Sequence, residues 1–298
     1  MKYNLLGKSD LKLSEVSFGC MSLGADQTAN AKLLHSALDE GINFFDTADL
    51  YDKGENEVMV GKAFCGMREQ VVISTKVGNQ WRSDGSGWDW NPSKSYILSA
   101  VDASLKRLRT DYIDLYQLHG GTIDDPIEET IEAFELLKQQ GKIRQYGISS
   151  IRLNVIREYV SRSAITSVML QYSLLDRRPE EEILQLLQEH SIGVLARGSL
   201  AQGLLAGKPA KPYLGYTADE VIKAAEAVKA AGGENHSSAV VAAQFVLHHP
   251  AITTAVLGIR TSAQLTDALD IANSTSATKE TTEYLKEILA PNKYEQHR

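Results

Sequence analysis

The chain has 298 residues, of which 43% are hydrophobic and 23% are charged, and these are ordinary values for a globular protein. Its formal net charge of -7 disfavours nucleic acid or an anionic membrane surface as the main partner. Two distant cysteines, no signal-peptide core and no run of roughly 20 apolar residues together predict a cytoplasmic protein.

The predicted elements begin with a β-hairpin, formed by residues 3–5 and 11–13 around a turn-forming cluster at 7–10. Short apolar strands are predicted at 16–19, 44–45, 71–75, 113–118, 143–148, 167–170, 193–196 and 254–257. Helices are predicted at 29–40, 55–65, 93–108, 126–140, 152–160, 179–190, 218–230, 238–248, 262–272 and 278–288.

This order of elements predicts the fold class. Each of the eight strands is followed by a helix, and the strands are apolar on both faces, as buried parallel strands are. No linker or change of composition divides the chain. We therefore predict an α/β fold in one domain over residues 1–298. It is a closed (β/α)8 TIM barrel with an N-terminal β-hairpin and extra C-terminal helices, favoured over a doubly wound sheet.

Three segments interrupt the regular alternation, and in a barrel the loops after the strands lie on the face that carries the active site. The first is a polar and aromatic loop at 77–91, which holds all three tryptophans of the chain. The others are a long loop at 198–217 and a polar tail after Pro291. The tryptophans fit either a cap packed on the barrel or the wall of a substrate pocket, and both can hold. Substrate specificity is expected in 77–91, 207–216 and the tail.

Four residues that could carry chemistry fall at or just after predicted strand ends. They are Asp46, Tyr51, Lys76 and His119. Each alone has a structural explanation, such as a helix cap for the acid or a solvated position for the amine. Their convergence at one end of a barrel favours a functional role. We call these four residues the tetrad.

The tetrad suits the reduction of a carbonyl group. Tyr51 could donate a proton to the developing alkoxide, and an ammonium group at Lys76 would stabilise the resulting phenolate. Asp46 would pair with the buried amine, and His119 could hydrogen-bond the substrate oxygen. The hydride would come from a nicotinamide cofactor. The chain lacks the Rossmann glycine motif, so the cofactor needs a different site.

Sequence motifs at these positions resemble one family. They are DTADLY at 46–51, ISTK at 73–76, the LH that follows YIDLYQ at 118–119, and YGISS at 146–150. Together, in order and over essentially the whole chain, they resemble the aldo-keto reductases. The resemblance implies the (β/α)8 barrel, the same tetrad in catalytic roles, and NADPH as the cofactor.

The resemblance also implies residues that hold the nicotinamide and the pyrophosphate. Ser149, Ser150 and Gln171 match the positions that bind the carboxamide, although the family usually has Asn where Ser150 stands. The stretch 196–208 resembles the pyrophosphate-binding loop, with matches at Gly198, Ser199, Leu200 and Gly203. Arg197 falls where many members have an aromatic residue that stacks on nicotinamide. A guanidinium can stack on a ring or bind phosphate, so its role stays open.

The segment 257–264 resembles the site for the adenosine 2′-phosphate. It contains Gly258, Arg260 and Gln264, and it opens a helix, which suits an anion. Arg260 is the main reason to expect NADPH rather than NADH. Without the resemblance, the segment would be read as a helix start with an exposed arginine. Ala268 stands where an Asn usually contacts adenine.

The sequence thus predicts an NADPH-dependent oxidoreductase that reduces aldehydes or ketones, with a small-molecule carbonyl substrate. An alternative from another class is an NADPH-binding redox-sensing or regulatory barrel protein with little turnover. A metal-dependent barrel isomerase or hydrolase is a third reading, but no set of metal ligands is visible in the sequence. The family resemblance further implies a monomer.

Overall fold

A computed structural model describes residues 1–274 and 278–298 of the chain. The strands are β1 (Tyr3–Leu5), β2 (Lys12–Ser14), β3 (Val16–Gly19), β4 (Phe44–Asp46), β5 (Val72–Val77), β6 (Asn79–Trp81), β7 (Trp88–Trp90), β8 (Ile113–Leu118), β9 (Ile143–Ser149), β10 (Ser167–Gln171), β11 (Gly193–Arg197) and β12 (Ile252–Gly258). The α-helices are α1 (Gln27–Asp39), α2 (Glu55–Ala63), α3 (Lys94–Leu108), α4 (Ile127–Gln139), α5 (Leu153–Arg162), α6 (Ile183–Glu189), α7 (Ala218–Gly232), α8 (Ser238–Leu247), α9 (Ser262–Asn273) and α10 (Lys279–Ile288).

Eight strands close into a barrel in the order β3, β4, β5, β8, β9, β10, β11 and β12, and β12 pairs with β3. All neighbouring pairs are parallel. The strands are buried on both faces; β8, for example, has no exposed residue. The predicted (β/α)8 fold is therefore confirmed, including the extra C-terminal helices. No helix among the described residues is both long enough and apolar enough to cross a lipid bilayer.

The predicted N-terminal hairpin is also confirmed, and it closes one end of the barrel. β1 and β2 pair antiparallel. Apolar side chains of the hairpin, Leu6, Leu11 and Leu13, pack with Phe44 and Leu115 from the barrel interior. The backbone at Gly7 lies against Thr166, just before β10, and against Gly193, the first residue of β11. The amino ends of the strands are thus covered, and the carboxyl ends remain available for a site.

The prediction of a plain loop at 77–91 is wrong in part, because this segment contains the antiparallel hairpin of β6 and β7. Trp81 and Trp88 lie opposite each other, with ring centroids 5.3 Å apart. Such cross-strand aromatic pairs stabilise short hairpins. The turn is at Asp84-Gly85, where Gly85 has a φ of +70°. An Asp-Gly pair is a turn signal that the sequence reading did not use.

A second correction concerns the helix predicted at 179–190. Residues Arg178–Glu181 form a 3₁₀ helix, and α6 begins only at Ile183. Glu182 separates the two with a non-helical φ of -158°. Pro179 fits the first turn of a helix because it needs no hydrogen-bonded N–H there, so the sequence signal for a start was right but not for one continuous helix.

Candidate active site

The tetrad residues meet at the carboxyl ends of neighbouring strands. Asp46 ends β4, Lys76 lies near the end of β5, and His119 follows β8 directly. Tyr51 begins the turn between β4 and α2. All four line one cavity of about 1620 Å³. The structure therefore brings together the four side chains that the strand-end pattern singled out.

Lys76 is the centre of this group. Its ammonium nitrogen lies 2.6 Å from Asp46 Oδ2, 2.7 Å from the carbonyl oxygen of Thr47 and 3.4 Å from the hydroxyl of Tyr51. Its side chain is only 1% exposed. Burial alone would favour the neutral amine, but Asp46 and Tyr51 outweigh burial and raise the pKa of Lys76. Lys76 is thus a fixed cation beside the phenol.

Asp46 supplies the opposite charge at the bottom of the site. Burial raises the pKa of its carboxyl, and the Lys76 ammonium opposes that rise. Its Oδ1 has no hydrogen-bond partner among the described residues. Asp46 is therefore the buried carboxylate that balances the charge of the Lys76 ammonium.

His119 is a neutral imidazole in this environment. Burial is the largest cause, and the charges of Lys76 and Arg197 add to it, so that the pKa of His119 falls to about 3. Its ring packs edge-on against Tyr51, with centroids 5.9 Å apart. Nδ1 is buried and lacks a partner in the described part of the chain. A neutral ring can donate one hydrogen bond without carrying a charge.

An unusual turn presents Tyr51 to the cavity. Asp52, Lys53 and Gly54 follow it with φ values of 49°, 56° and 89°. Side chains rarely adopt this left-handed region, so the turn must be held by its surroundings. The β6–β7 hairpin does part of this, since Trp81 Nε1 donates to the Leu50 carbonyl and Lys53 lies over the Trp81 ring.

Each of the three segments expected to set specificity lines the cavity in part. From the hairpin come Asn79 and Trp90. The Trp90 indole packs on the backbone at Gly78 and Gly120, and its Nε1 donates to Asp125 at 2.9 Å. This tryptophan is therefore both packed on the barrel and part of the cavity wall. Residues 213–216 and 290–297 contribute further wall.

Asn292 is one of the residues that hold the C-terminal tail in place. The Asn292 side chain accepts a hydrogen bond from the Arg177 N–H at 2.9 Å and donates to the carbonyls of Leu175 and Leu214. Tyr216 adds a hydrogen bond from its hydroxyl to the Ala290 carbonyl. These contacts join the tail to the loops after β10 and β11. The sequence placed the tail near the site but gave no signal for these bonds.

Most of the predicted cofactor residues line the same cavity. These are Ser149, Ser150, Gln171, Arg197, Gly198, Ser199, Leu200, Gly203 and Gly258. Arg260 and Gln264 lie beyond its lining, at the start of α9. There the Arg260 N–H donates to Gln264 Oε1 at 2.9 Å, and the Arg260 side chain is exposed.

The loop after β11 has the form of an anion site. Gly198, Ala201, Gln202 and Gly203 all have positive φ values, between 47° and 91°. Backbone in this conformation forms concave groups of N–H donors that bind phosphates. Ser199 Oγ is buried on the cavity lining and has no partner among the described residues. An unsatisfied hydroxyl in a concave loop fits a bound pyrophosphate.

Arg197 is held by a chain of hydrogen bonds that the sequence did not reveal. Its guanidinium donates to Gln171 Oε1 at 3.1 Å, and Gln171 Nε2 donates to the Tyr213 hydroxyl at 2.8 Å.

Ser150 Oγ accepts a hydrogen bond from the Arg152 backbone N–H. Arg152 also lines the cavity, and its position two residues after YGISS, just beyond the end of a strand, was a signal that we did not use.

No group of three or more His, Cys, Asp or Glu side chains within 1–274 and 278–298 has an arrangement that could hold a metal ion. The described site presents a phenol, an ammonium, a carboxylate and a neutral imidazole around a cavity of about 1620 Å³.

Known proteins similar to this chain in sequence and fold identify its family. The sequence profile of the Aldo/keto reductase family matches residues 15–290. An uncharacterized oxidoreductase, YqkF of Bacillus subtilis, is 48% identical over 100% of both chains. The holo form of aldo-keto reductase AKR11C1 from Bacillus halodurans superposes with a TM-score of 0.94 at 48% identity, covering 100% of this chain and 99% of its own. An NADH-specific methylglyoxal reductase of Escherichia coli is 36% identical over 72% of each chain. The chain belongs to the aldo/keto reductase family.

Proposed function

We propose that the protein is an NADPH-dependent oxidoreductase that reduces aldehydes and ketones to alcohols, with Tyr51 as the proton donor. One observation carries this proposal. The Tyr51 hydroxyl faces the cavity 3.4 Å from the Lys76 ammonium, which is itself paired with Asp46 at 2.6 Å. A phenol beside a buried cation is suited to release its proton.

The nicotinamide, when bound, supplies the hydride that attacks the carbonyl carbon. The side chains of the protein would protonate and orient the carbonyl oxygen of the substrate. Tyr51 gives its proton to the oxygen as negative charge develops there, and Lys76 stabilises the phenolate that remains. His119 orients the oxygen with a hydrogen bond from its neutral ring. The substrate would thereby gain one hydride and one proton, and a bound nicotinamide would be the source of the hydride.

The cavity lining and the start of α9 offer partners for the carboxamide, the pyrophosphate and the 2′-phosphate of the cofactor. Ser149, Ser150 and Gln171 would hold the carboxamide. The positive-φ loop at 198–203 would hold the pyrophosphate, with Ser199 Oγ as one donor. Arg260 and Gln264 would hold the 2′-phosphate at the start of α9, where the helix dipole also favours an anion.

The test is a steady-state screen of NADPH oxidation with chemically varied carbonyls. The panel includes methylglyoxal, because one relative is named as its reductase. We expect turnover with at least one small aldehyde, and none with Tyr51→Phe, although that variant should bind NADPH with unchanged affinity. Near-normal rates in Tyr51→Phe would exclude it as the proton donor. Tight NADPH binding without consumption across the panel would favour the sensor instead.

The preference for NADPH needs its own test, since the same relative is named NADH-specific. Arg260→Gln removes the exposed guanidinium that would face the 2′-phosphate. We expect the KM for NADPH to rise about tenfold or more, because one charge-assisted hydrogen bond is lost, while the KM for NADH changes little. Equal effects on both cofactors would show that Arg260 does not read the phosphate.

We also propose that the protein acts as a monomer. All four tetrad residues come from one barrel, so no second copy is needed to complete the site. Sedimentation velocity at working concentrations should give the mass of one chain, and a dimer mass would contradict this.

A further inference from the structure

An ion pair between a buried carboxylate and a half-buried guanidinium lies directly behind the tetrad. Glu57 in α2 is 0% exposed, and its Oε2 accepts a hydrogen bond from Arg107 Nε at 2.6 Å. Both residues lie outside the cavity lining, so neither can touch a substrate there. Such a pair is weak support for stability, because the desolvation of the Glu57 carboxylate offsets its attraction to Arg107. A role in positioning would explain its place in the fold.

The first connection runs from Glu57 to Lys76. Glu57 Oε1 accepts a hydrogen bond from Thr75 Oγ1 at 2.5 Å, and Thr75 directly precedes Lys76 in β5. Successive side chains of a strand point to opposite faces. Thr75 therefore faces α2 on the outside of the barrel, while Lys76 faces the tetrad. Glu57 fixes β5 at the residue next to the catalytic amine.

The second connection runs from Arg107 to Tyr51. A Cβ placed on Gly54 would lie 2.8 Å from Arg107 Cδ and 2.9 Å from its Nε, so the arginine side chain lies against this glycine. Gly54 ends the left-handed turn that begins immediately after Tyr51. Arg107 thus supports the turn from below and leaves room only for glycine at that point.

A neighbouring acid, Asp49, does not disturb the charge balance between Glu57 and Arg107. Asp49 is 8% exposed, and its N–H donates to the Lys76 carbonyl at 3.3 Å. Burial, and then the charge of Glu57, raise the pKa of Asp49 to about 8. At neutral pH Asp49 is therefore mostly protonated and adds little negative charge. Arg107 is the cation that balances the negative charge of Glu57.

We propose that Glu57 and Arg107 are positioning residues, which together set the separation between the Lys76 ammonium and the Tyr51 hydroxyl. This inference rests on the proposed function. The separation of 3.4 Å is already near the limit of a hydrogen bond, so a small displacement of either side chain breaks it. A misplacement of about 1 Å in an active site can lower a rate about 100-fold.

Two variants test the proposal with matched controls. Thr75→Val removes the hydroxyl that binds Glu57 and keeps the shape of the side chain. Its control is Thr254→Val, which removes an equally buried hydroxyl that lies 2.5 Å from Ser17 Oγ elsewhere in the barrel. Glu57→Gln weakens the ion pair. Its control is Asp114→Asn, which weakens the ion pairs of another buried carboxylate, with Arg68 at 2.6 Å and with Arg144 at 2.9 Å, at the amino end of the barrel.

The readouts are kcat, the KM for the carbonyl, the Kd for NADPH, the solvent deuterium isotope effect on kcat, and the melting temperature. We expect Glu57→Gln and Thr75→Val to lower kcat about 10- to 100-fold. We expect little change in Kd and a larger isotope effect, because proton transfer from a misplaced Tyr51 becomes slower. The control variants should lose melting temperature to a similar degree while kcat stays within about threefold.

The possible outcomes distinguish a failure of the positioning role from a failure of the proposed reductase function. A wild-type protein that oxidises no NADPH would refute the proposed function, and the positioning role with it. An active wild-type protein whose Glu57→Gln and Thr75→Val variants match their controls in kcat and isotope effect would refute the positioning role alone. If Glu57→Gln does not fold, Thr75→Val and its control decide the question.

Discussion

Replacing His119 with glutamine should make the stability of the protein less sensitive to acid. Burial, with Lys76 and Arg197, lowers the pKa of His119 to about 3 in the folded chain. An unfolded histidine titrates near 6.5. Between these two values the unfolded chain binds a proton that the folded chain does not. Stability therefore falls as the pH drops below about 6.5, and the loss from this residue is complete near pH 3.

The size of the effect follows from the two pKa values. At pH 5, His119 should account for a loss of about 2 kcal/mol in the free energy of unfolding relative to pH 8, and the full shift corresponds to about 5 kcal/mol. Urea denaturation of the wild-type protein and of His119→Gln at both pH values measures it. Other titrating groups contribute equally to both proteins, so they cancel in the comparison.

A second histidine provides the control. His190 is exposed on the surface at the end of α6, and His190→Gln should leave the loss between pH 8 and pH 5 as it is in the wild type. If His119→Gln loses as much stability as the wild type over this range, the imidazole is not held neutral by burial. The role of His119 as an uncharged hydrogen-bond donor would then fail.

Two further substitutions test the supports of the site. Lys76→Met should lower kcat by roughly 10²- to 10⁴-fold, since the phenolate loses its cation, and should lower the free energy of unfolding by about 3–5 kcal/mol because Asp46 is left buried and unpaired. Steady-state kinetics and urea unfolding measure the two effects, and an unchanged unfolding curve would contradict the pairing. Gly54→Ala should lower the free energy of unfolding by about 1–3 kcal/mol, because its φ is 89° and its Cβ would lie 2.8 Å from Arg107 Cδ. Thermal unfolding measures this loss, and a melting temperature equal to that of the wild type would show that the turn tolerates a side chain.

The barrel could be predicted from the sequence because its signal is local and repeated. Each strand is a short apolar run and each helix has its own periodicity, so eight separate observations agree on one fold. The positions of Asp46, Lys76 and His119 follow from the same pattern, since a polar residue at the end of a buried parallel strand can only face the site end of the barrel. Placing the tetrad required no knowledge of side-chain contacts.

The remaining parts of the site depend on contacts between distant loops, which leave no periodic signal. The link from Gln171 to Tyr213 joins residues 42 positions apart, and the link from Arg177 to Asn292 joins residues 115 apart. The β6–β7 hairpin is different, because its Asp-Gly turn was visible but its strands have only three residues each. Glu57 also left a signal that was not read, a carboxylate on the same buried helix face as Val60 and Gly61.

The three hydrogen bonds of Lys76 differ in length, and the difference separates the bonds that hold the cation from the bond to Tyr51. An ammonium has three donors, and here they meet Asp46 at 2.6 Å, the Thr47 carbonyl at 2.7 Å and Tyr51 at 3.4 Å. The two short bonds fix the cation before any reaction begins. The long bond is the one to the proposed proton donor, and it would shorten as Tyr51 acquires negative charge. An interaction that is weak in the ground state and strong when charge develops is the kind that lowers a barrier rather than merely tightening binding.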